Sequence, residues 1–230
     1  MFFQSEVAIF IYDLTDESIE VHKSESSYHL MLECEGEIYA RERGVGLKKW
    51  DGTEFTLIPD GDKFELYGLF DILPYSSQEK LLVTQELGLM LLGEDSIRAF
   101  NSDSTGALRY QHIIGGTVSE NGTYFFNSLQ KGVYEVNRNG EIENHYTTSS
   151  GLKSDEVKSI FIDNYSNLWL ATGNGISVVN RGIPLSFYNS AVGLDGNVQC
   201  IQKFKDKLLV GTSVGLYRQQ GSRHGFQQLD

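Results

Sequence analysis

One pattern of apolar and polar positions recurs along the chain. A short apolar run leads into a polar turn of a few residues, then a Gly followed by an aliphatic residue, then a second apolar run. Its copies are IYARERGVGLKKW (38–50), LLVTQELGLMLL (81–92), YFFNSLQKGVYEV (124–136), LWLATGNGISVV (168–179) and LLVGTSVGLYR (208–218). The marker glycines are Gly46, Gly88, Gly132, Gly175 and Gly215, separated by 42, 44, 43 and 40 residues. Each copy predicts a β-hairpin: two strands rich in β-branched and aromatic residues, with Gly at a turn or bulge position that tolerates positive φ.

A further apolar run precedes each hairpin: YHLMLE (28–33), LYGLFDIL (66–73), YQHIIGGTV (110–118), VKSIFID (157–163) and VQCIQKF (198–204). Another follows it: EFTLI (54–58), SIRAF (96–100), EIENHY (141–146), PLSFYN (184–189) and GFQQL (225–229). Four strands, here A to D, per repeat of about 43 residues is the signature of a propeller blade, a unit that buries its sheet faces only by stacking on neighbours. The chain therefore reads as an all-β, single β-propeller domain over 1–230, of four-stranded antiparallel blades. Five complete blades are expected at 25–66, 67–108, 109–152, 153–194 and 195–230. Residues 1–24 supply a half blade, with strands C and D at VAIFIYD (7–13) and SIEVHK (18–23); a ring of five could close with the half blade beside it, but a fragment of a larger propeller is expected. The stretch 76–95 and the segment SDEVKS (154–159) carry helix-forming residues, but the repeat assigns both to strands. Ile160, Ile162, Leu168 and Leu170 are expected to face neighbouring blades, and Trp50 and Trp169 to pack between blades rather than to serve as ligand platforms.

Composition narrows the function. Nineteen Lys and Arg against 31 Asp and Glu give a net charge of −12. That balance argues against nucleic acid and against an anionic membrane surface. No apolar run is long enough for a transmembrane helix, so no direct membrane insertion is expected. The N-terminus lacks the basic region and cleavage site of a signal peptide. Cys34 and Cys200 both sit in apolar runs and read as two buried thiols.

The segment GLKSDEVKSIFIDNYSNLWLATGNGISVVN (151–180) resembles the two-component regulator propeller repeat. Gly151 and Leu152 open the repeat and Asp163 ends strand A. Leu168, Trp169, Leu170, Ala171 and Thr172 form the central strand, and Gly175 with Ile176 the hairpin. The next blade is similar over 193–219 through Gly193, Leu194, Gly211, Thr212, Gly215 and Leu216, with Leu209 in place of the Trp. The resemblance covers about 80 residues. Over 25–150 the Trp and the Gly/Ala-Thr pair are missing, and mainly the Gly-aliphatic hairpin remains. The resemblance implies the periplasmic or extracytoplasmic sensor region of a bacterial membrane receptor, most often a hybrid histidine kinase. Many such receptors regulate polysaccharide use. The signalling domains are then downstream partners in the same parent chain. It implies no catalytic motif and no cofactor in the propeller.

The residues themselves show no metal-ligand spacing among the five histidines, no nucleophile elbow and no phosphate loop. Asp60-Gly61-Asp62 reads as a turn, not a calcium loop. In a propeller the B–C and D–A loops share one face, where binding concentrates. The B–C tips supply the candidate ligand-binding residues Arg41, Arg43, Gln85, Glu86, Gln130, Asn174 and Ser213, a polar, amide-rich set suited to an oligosaccharide or other small molecule. Phe187 and Tyr188 are further candidates for stacking on a sugar. Three functions follow: a non-catalytic ligand-binding sensor that signals through packing or homodimerisation; a glycan lyase or hydrolase, for which Glu86 and Glu135 are the candidate carboxylates; and a protein-interaction scaffold.

Overall fold

The computed structural model describes residues 1–100, 105–181, 190, 193–205, 207–220 and 224–229. These form two compact units, Met1–Asn180 and Arg181–Asp230, built from 22 strands in six antiparallel sheets.

In the first unit, sheet I comprises β1 (Phe2–Gln4), β2 (Ala8–Tyr12) and β3 (Ile19–Lys23). Sheet II comprises β4 (Ser27–Cys34), β5 (Glu37–Arg43), β6 (Gly46–Trp50) and β7 (Phe55–Leu57). Sheet III comprises β8 (Leu69–Pro74), β9 (Lys80–Thr84), β10 (Leu89–Leu92) and β11 (Ile97–Ala99). Sheet IV comprises β12 (Ile113–Val118), β13 (Tyr124–Ser128), β14 (Val133–Val136) and β15 (Ile142–Tyr146). Sheet V comprises β16 (Val157–Ile162), β17 (Leu168–Thr172) and β18 (Gly175–Val179). Each sheet pairs its strands in chain order, as a four-stranded meander must. The helix-forming stretch 76–95 is the hairpin β9–β10, as the repeat requires.

Two differences from the sequence reading stand out. Residues 1–24 form three strands, not two, because β1 pairs with β2 through Phe2–Ile11, Phe3–Phe10 and Gln4–Ile9. A three-residue strand is too short to show a period, so the pattern hides it. The predicted fourth strand of sheet V, 184–189, lies outside the described residues, as do Phe187 and Tyr188.

Consecutive sheets of this unit stack face to face. Ile9 of sheet I meets Tyr28 and Ala40 of sheet II. Tyr39 and Leu47 of sheet II meet Ile72, Leu82 and Met90 of sheet III. Leu81, Val83 and Leu91 on the other face of sheet III meet Tyr124, Phe126 and Tyr134 of sheet IV. Phe125 and Val133 of sheet IV meet Val157, Leu168 and Leu170 of sheet V. The A strands β4, β8, β12 and β16 lie beside one another, and Asp71 on β8 accepts a 3.0 Å hydrogen bond from the Gly116 amide on β12. The D strands β3, β7 and β15 are largely exposed. This is the arrangement of blades, inner strands together and outer strands in solvent.

The second unit holds sheet VI: β19 (Val198–Phe204), β20 (Lys207–Thr212), β21 (Gly215–Gln220) and β22 (His224–Leu229). Its core is Leu194, Val210, Tyr217 and Phe226. Cys34 is buried, and its burial pushes the thiol up to about 11. Cys200, expected to be buried, is instead exposed. Both cysteines are free thiols.

Candidate functional site

The B–C hairpins and the segments that enter strand A are joined by one repeated hydrogen bond. The first residue of the turn donates its amide to the carbonyl just before strand A: Gln85 to Gly68 (3.2 Å), Leu129 to His112 (3.3 Å), Gly173 to Glu156 (3.0 Å) and Ser213 to Asn197 (2.9 Å). Sheet II departs from this, since Gly44 donates to Glu65 (3.2 Å). In sheets III to VI a hydroxyl at the end of strand B holds the turn. Thr84 donates to the Gly88 carbonyl (2.6 Å), Thr172 to Gly175 (2.7 Å) and Thr212 to Gly215 (3.2 Å), while Ser128 accepts from the amides of Gln130 and Lys131. The Thr of the repeat is thus a turn-bracing residue, and its role survives at Thr84 and Ser128. In sheet II the position is Glu42, fully buried, which pairs with Lys48 at 2.7 Å and accepts the amides of Glu25 and Ser26. Gly132 shows why the marker must be Gly: φ is +72°, and a Cβ there would collide with the Tyr146 carbonyl.

Every A strand carries a β-bulge at the end near these turns. The unpaired residues are His29, Phe70, Ile114, Lys158 and Gln199. A bulge re-aims one side chain out of the alternating pattern. In sheets II and III it brings the His29 and Phe70 rings edge to face, centroids 5.6 Å apart.

The predicted site residues fall unevenly on this face. Arg41 is within β5, not at a tip, and only 5% exposed. Its Nε donates to the Phe64 carbonyl (3.0 Å) and its Nη2 to that of Glu65 (3.2 Å). Arg43 ends β5 and is exposed. Glu86 is exposed on the next hairpin and accepts the Gly68 amide at 3.1 Å. Gln85 is half-buried beside it. Gln130 and Asn174 are exposed on the turns of sheets IV and V. Ser213, in the second unit, accepts the Asn197 amide at 3.0 Å. Within the first unit, then, Arg41, Arg43, Gln85 and Glu86 gather around His29 and Phe70. Burial first, then the positive charges of Arg41 and Arg43, hold the His29 imidazole below its ordinary value. His29 and Phe70 escape a sequence reading, because pairing two residues against one leaves no period. Their one signal is that the bulges recur at the repeat spacing.

The other candidates serve structure. Glu135 is 3% exposed in β14, where its carboxylate accepts from Asn144 Nδ2 (2.7 Å) and the Tyr146 hydroxyl (2.6 Å). Glu86 and Glu135 belong to different sheets and do not form a carboxylate pair in any described contact. Trp50 packs edge to face on His22 and Phe2. Trp169, expected to pack between blades, is instead 42% exposed, and its indole donates to Asp163 at 2.8 Å. A cavity of about 290 Å³ at the opposite end of sheets II and III is lined by Glu37, Tyr39, Lys49 and Lys80. Its walls satisfy one another: Glu37 pairs with Lys49 and with Lys80 (2.8 Å) and accepts from Tyr39 (2.7 Å). Among the described residues no group of three or more His, Cys, Asp or Glu could hold a metal ion.

No family model matches the chain, and no curated protein is significantly similar to it. Solved structures are. The extracellular domain of one hybrid two-component system from B. thetaiotaomicron is similar at 16% identity and a TM-score of 0.58 over 98% of this chain. That of a second such system from B. thetaiotaomicron is similar at 12% identity and a TM-score of 0.61 over 100%. A WD40 β-propeller domain is similar at 14% identity and a TM-score of 0.56, over 97% of this chain and 73% of its own. The chain spans 33% and 34% of the two bacterial domains. At these identities the likeness establishes the β-propeller fold.

Proposed function

We propose that this chain is part of the extracytoplasmic sensor propeller of a two-component membrane receptor, binding a small ligand, an oligosaccharide above all, on the B–C face. The observation that carries the reading is the structural likeness, over 98% and 100% of this chain and 33% and 34% of theirs, to extracellular domains of two hybrid two-component systems. It agrees with the repeat resemblance at 151–180, an independent line from sequence. The gathering of Arg43, Gln85 and Glu86 beside His29 and Phe70 supports binding there, since polar groups next to a partly exposed aromatic ring suit sugar recognition. Downstream signalling domains of the parent chain are the partners in this reading, and the propeller itself is non-catalytic.

A thermal-shift screen against neutral and acidic oligosaccharides tests it, with product analysis of each mixture. A ligand that binds only the folded state raises the melting temperature by mass action. The expected result is a raised melting temperature with one ligand class and no cleavage. Cleavage products would favour the enzyme reading; binding to a protein partner alone would favour the scaffold.

A further inference from the structure

The charge at the B–C end of sheet II is arranged unlike that of any other turn in the first unit. Arg41 is 95% removed from solvent, yet its two hydrogen-bond acceptors there are the backbone carbonyls of Phe64 and Glu65. It makes no ion pair with a carboxylate among the described residues. A buried charge ordinarily has a counter-charge, because backbone carbonyls solvate it only in part. The second guanidinium, Arg43, is close enough to repel Arg41, and it too has no ion pair among the described residues. The His29 Nδ1 is shielded from solvent and has no hydrogen-bond partner. The carboxylate whose charge acts on Arg41 is that of Glu86, and it accepts the Gly68 amide. The chain's net charge of −12 repels anions at long range, so recruiting one demands a local concentration of positive charge.

We propose that His29, Arg41 and Arg43, edged by Phe70, form a subsite for an oxyanion of the ligand, a carboxylate or a sulfate. This deepens the ligand-binding reading above and rests on it. Arg43, exposed at the end of β5, makes the contact, with the forked geometry that guanidinium offers to both groups. Arg41 contributes its field from beneath and positions the strand end. Phe70 is half-buried at the same spot, an aromatic ring against which the apolar face of a sugar can lie. An oxyanion there supplies the counter-charge that the two guanidiniums lack.

Titration calorimetry on the chain tests this with three panels of equal length: uronic-acid oligosaccharides, sulfated neutral oligosaccharides and the unmodified neutral parents. At least one acidic panel is expected to bind ~10-fold or more tighter than its neutral parent, and which one it is identifies the oxyanion. Arg43→Gln, at an exposed position that leaves the core intact, should weaken acidic binding ~10- to 100-fold, as expected for loss of a charged hydrogen bond, and weaken neutral sugars far less. Glu86→Gln keeps the acceptor for Gly68 and removes a competing charge, so acidic ligands should bind ~2- to 5-fold tighter. Neutral sugars binding as tightly as acidic ones, with Arg43→Gln silent, would overturn the oxyanion subsite while leaving ligand binding intact. Binding by none of the three panels would overturn both.

Discussion

Sheets III and V carry the same hairpin and bury it differently. In sheet III every residue of β10 is buried, and every residue of β9 but Lys80. Sheet IV repeats this in β13 and β14. In sheet V the central strand LWLAT alternates buried and exposed. Phe161, Trp169, Ile176 and Val178 on its outer face are 64%, 42%, 61% and 47% exposed. Yet sheet V is the one whose sequence best resembles a known repeat. Motif strength and packing are separate quantities: the motif records turn chemistry, whereas packing records whether both sheet faces have a neighbour within the unit.

Matched substitutions in sheet IV, buried like sheet III, and in sheet V test that contrast. The largest difference is expected between Phe126→Ala in β13 and Phe161→Ala in β16. Phe126 is fully buried between sheets III and IV, so its truncation should cost about 4 kcal/mol. Phe161→Ala should cost under about 0.5 kcal/mol, as exposed positions do. Urea denaturation reads both, and a loss of 2 kcal/mol or more for Phe161→Ala, on the order of a core truncation, would show that the outer face of sheet V is covered in solution.

Next come the two marker glycines. Gly132→Ala adds a collision with the Tyr146 carbonyl to a strained positive φ, and about 3 kcal/mol is expected, within the range for backbone-incompatible substitutions. Gly175 has φ +113° but nothing within 4 Å of a Cβ, so Gly175→Ala should cost only backbone strain, about 1–2 kcal/mol. Equal melting-temperature losses would mean that conformation alone, not close approach, demands Gly in both sheets.

The hairpin braces should differ less. Thr172→Val in sheet V and Ser128→Ala in sheet IV each remove one bracing hydroxyl. About 1 kcal/mol apiece is expected, somewhat more for Ser128, whose oxygen also donates to the Gln111 carbonyl at 2.5 Å. Thermal melts of the two variants measure the gap.

The smallest effect is electrostatic and confined to the junction of sheets II and III. Burial would raise the Glu37 carboxyl, but hydrogen bonds from Lys49, Lys80 and Tyr39 outweigh it and hold the group down at about 2. A carboxylate depressed in the folded state stabilises that state above its unfolded value near 4.3 and loses the contribution as pH falls toward 2. Stability of the chain should therefore decline from about pH 5 downward, and Glu37→Gln should flatten that decline. An unchanged acid profile in the variant would remove this tie from the account of the buried sheets.

Much of the fold is legible in the sequence because the repeat is spelled by residues whose roles are local. Gly46, Gly88, Gly132 and Gly175 mark turns, and the aliphatic alternation places Leu168 and Leu170 inward. Strand β1 is not legible, since Phe2–Gln4 is shorter than any period. The candidate site is legible only in outline. Polar tips such as Arg43 and Glu86 follow from the hairpin pattern. The burial of Arg41 does not, because it depends on a segment 23 residues downstream folding over it. Nor do His29 and Phe70, which reach this face only through bulges in backbone pairing.

In the proposed sensor, ligand binds the B–C face of the first unit. Hydrogen exchange of the chain, with and without the oligosaccharide giving the largest thermal shift, tests it most directly. Ligand on that face should add protection at 44–46, 64–68, 85–88 and 129–132. Protection confined to the opposite turns, at 35–36, 51–54, 76–79 and 120–122, would contradict it.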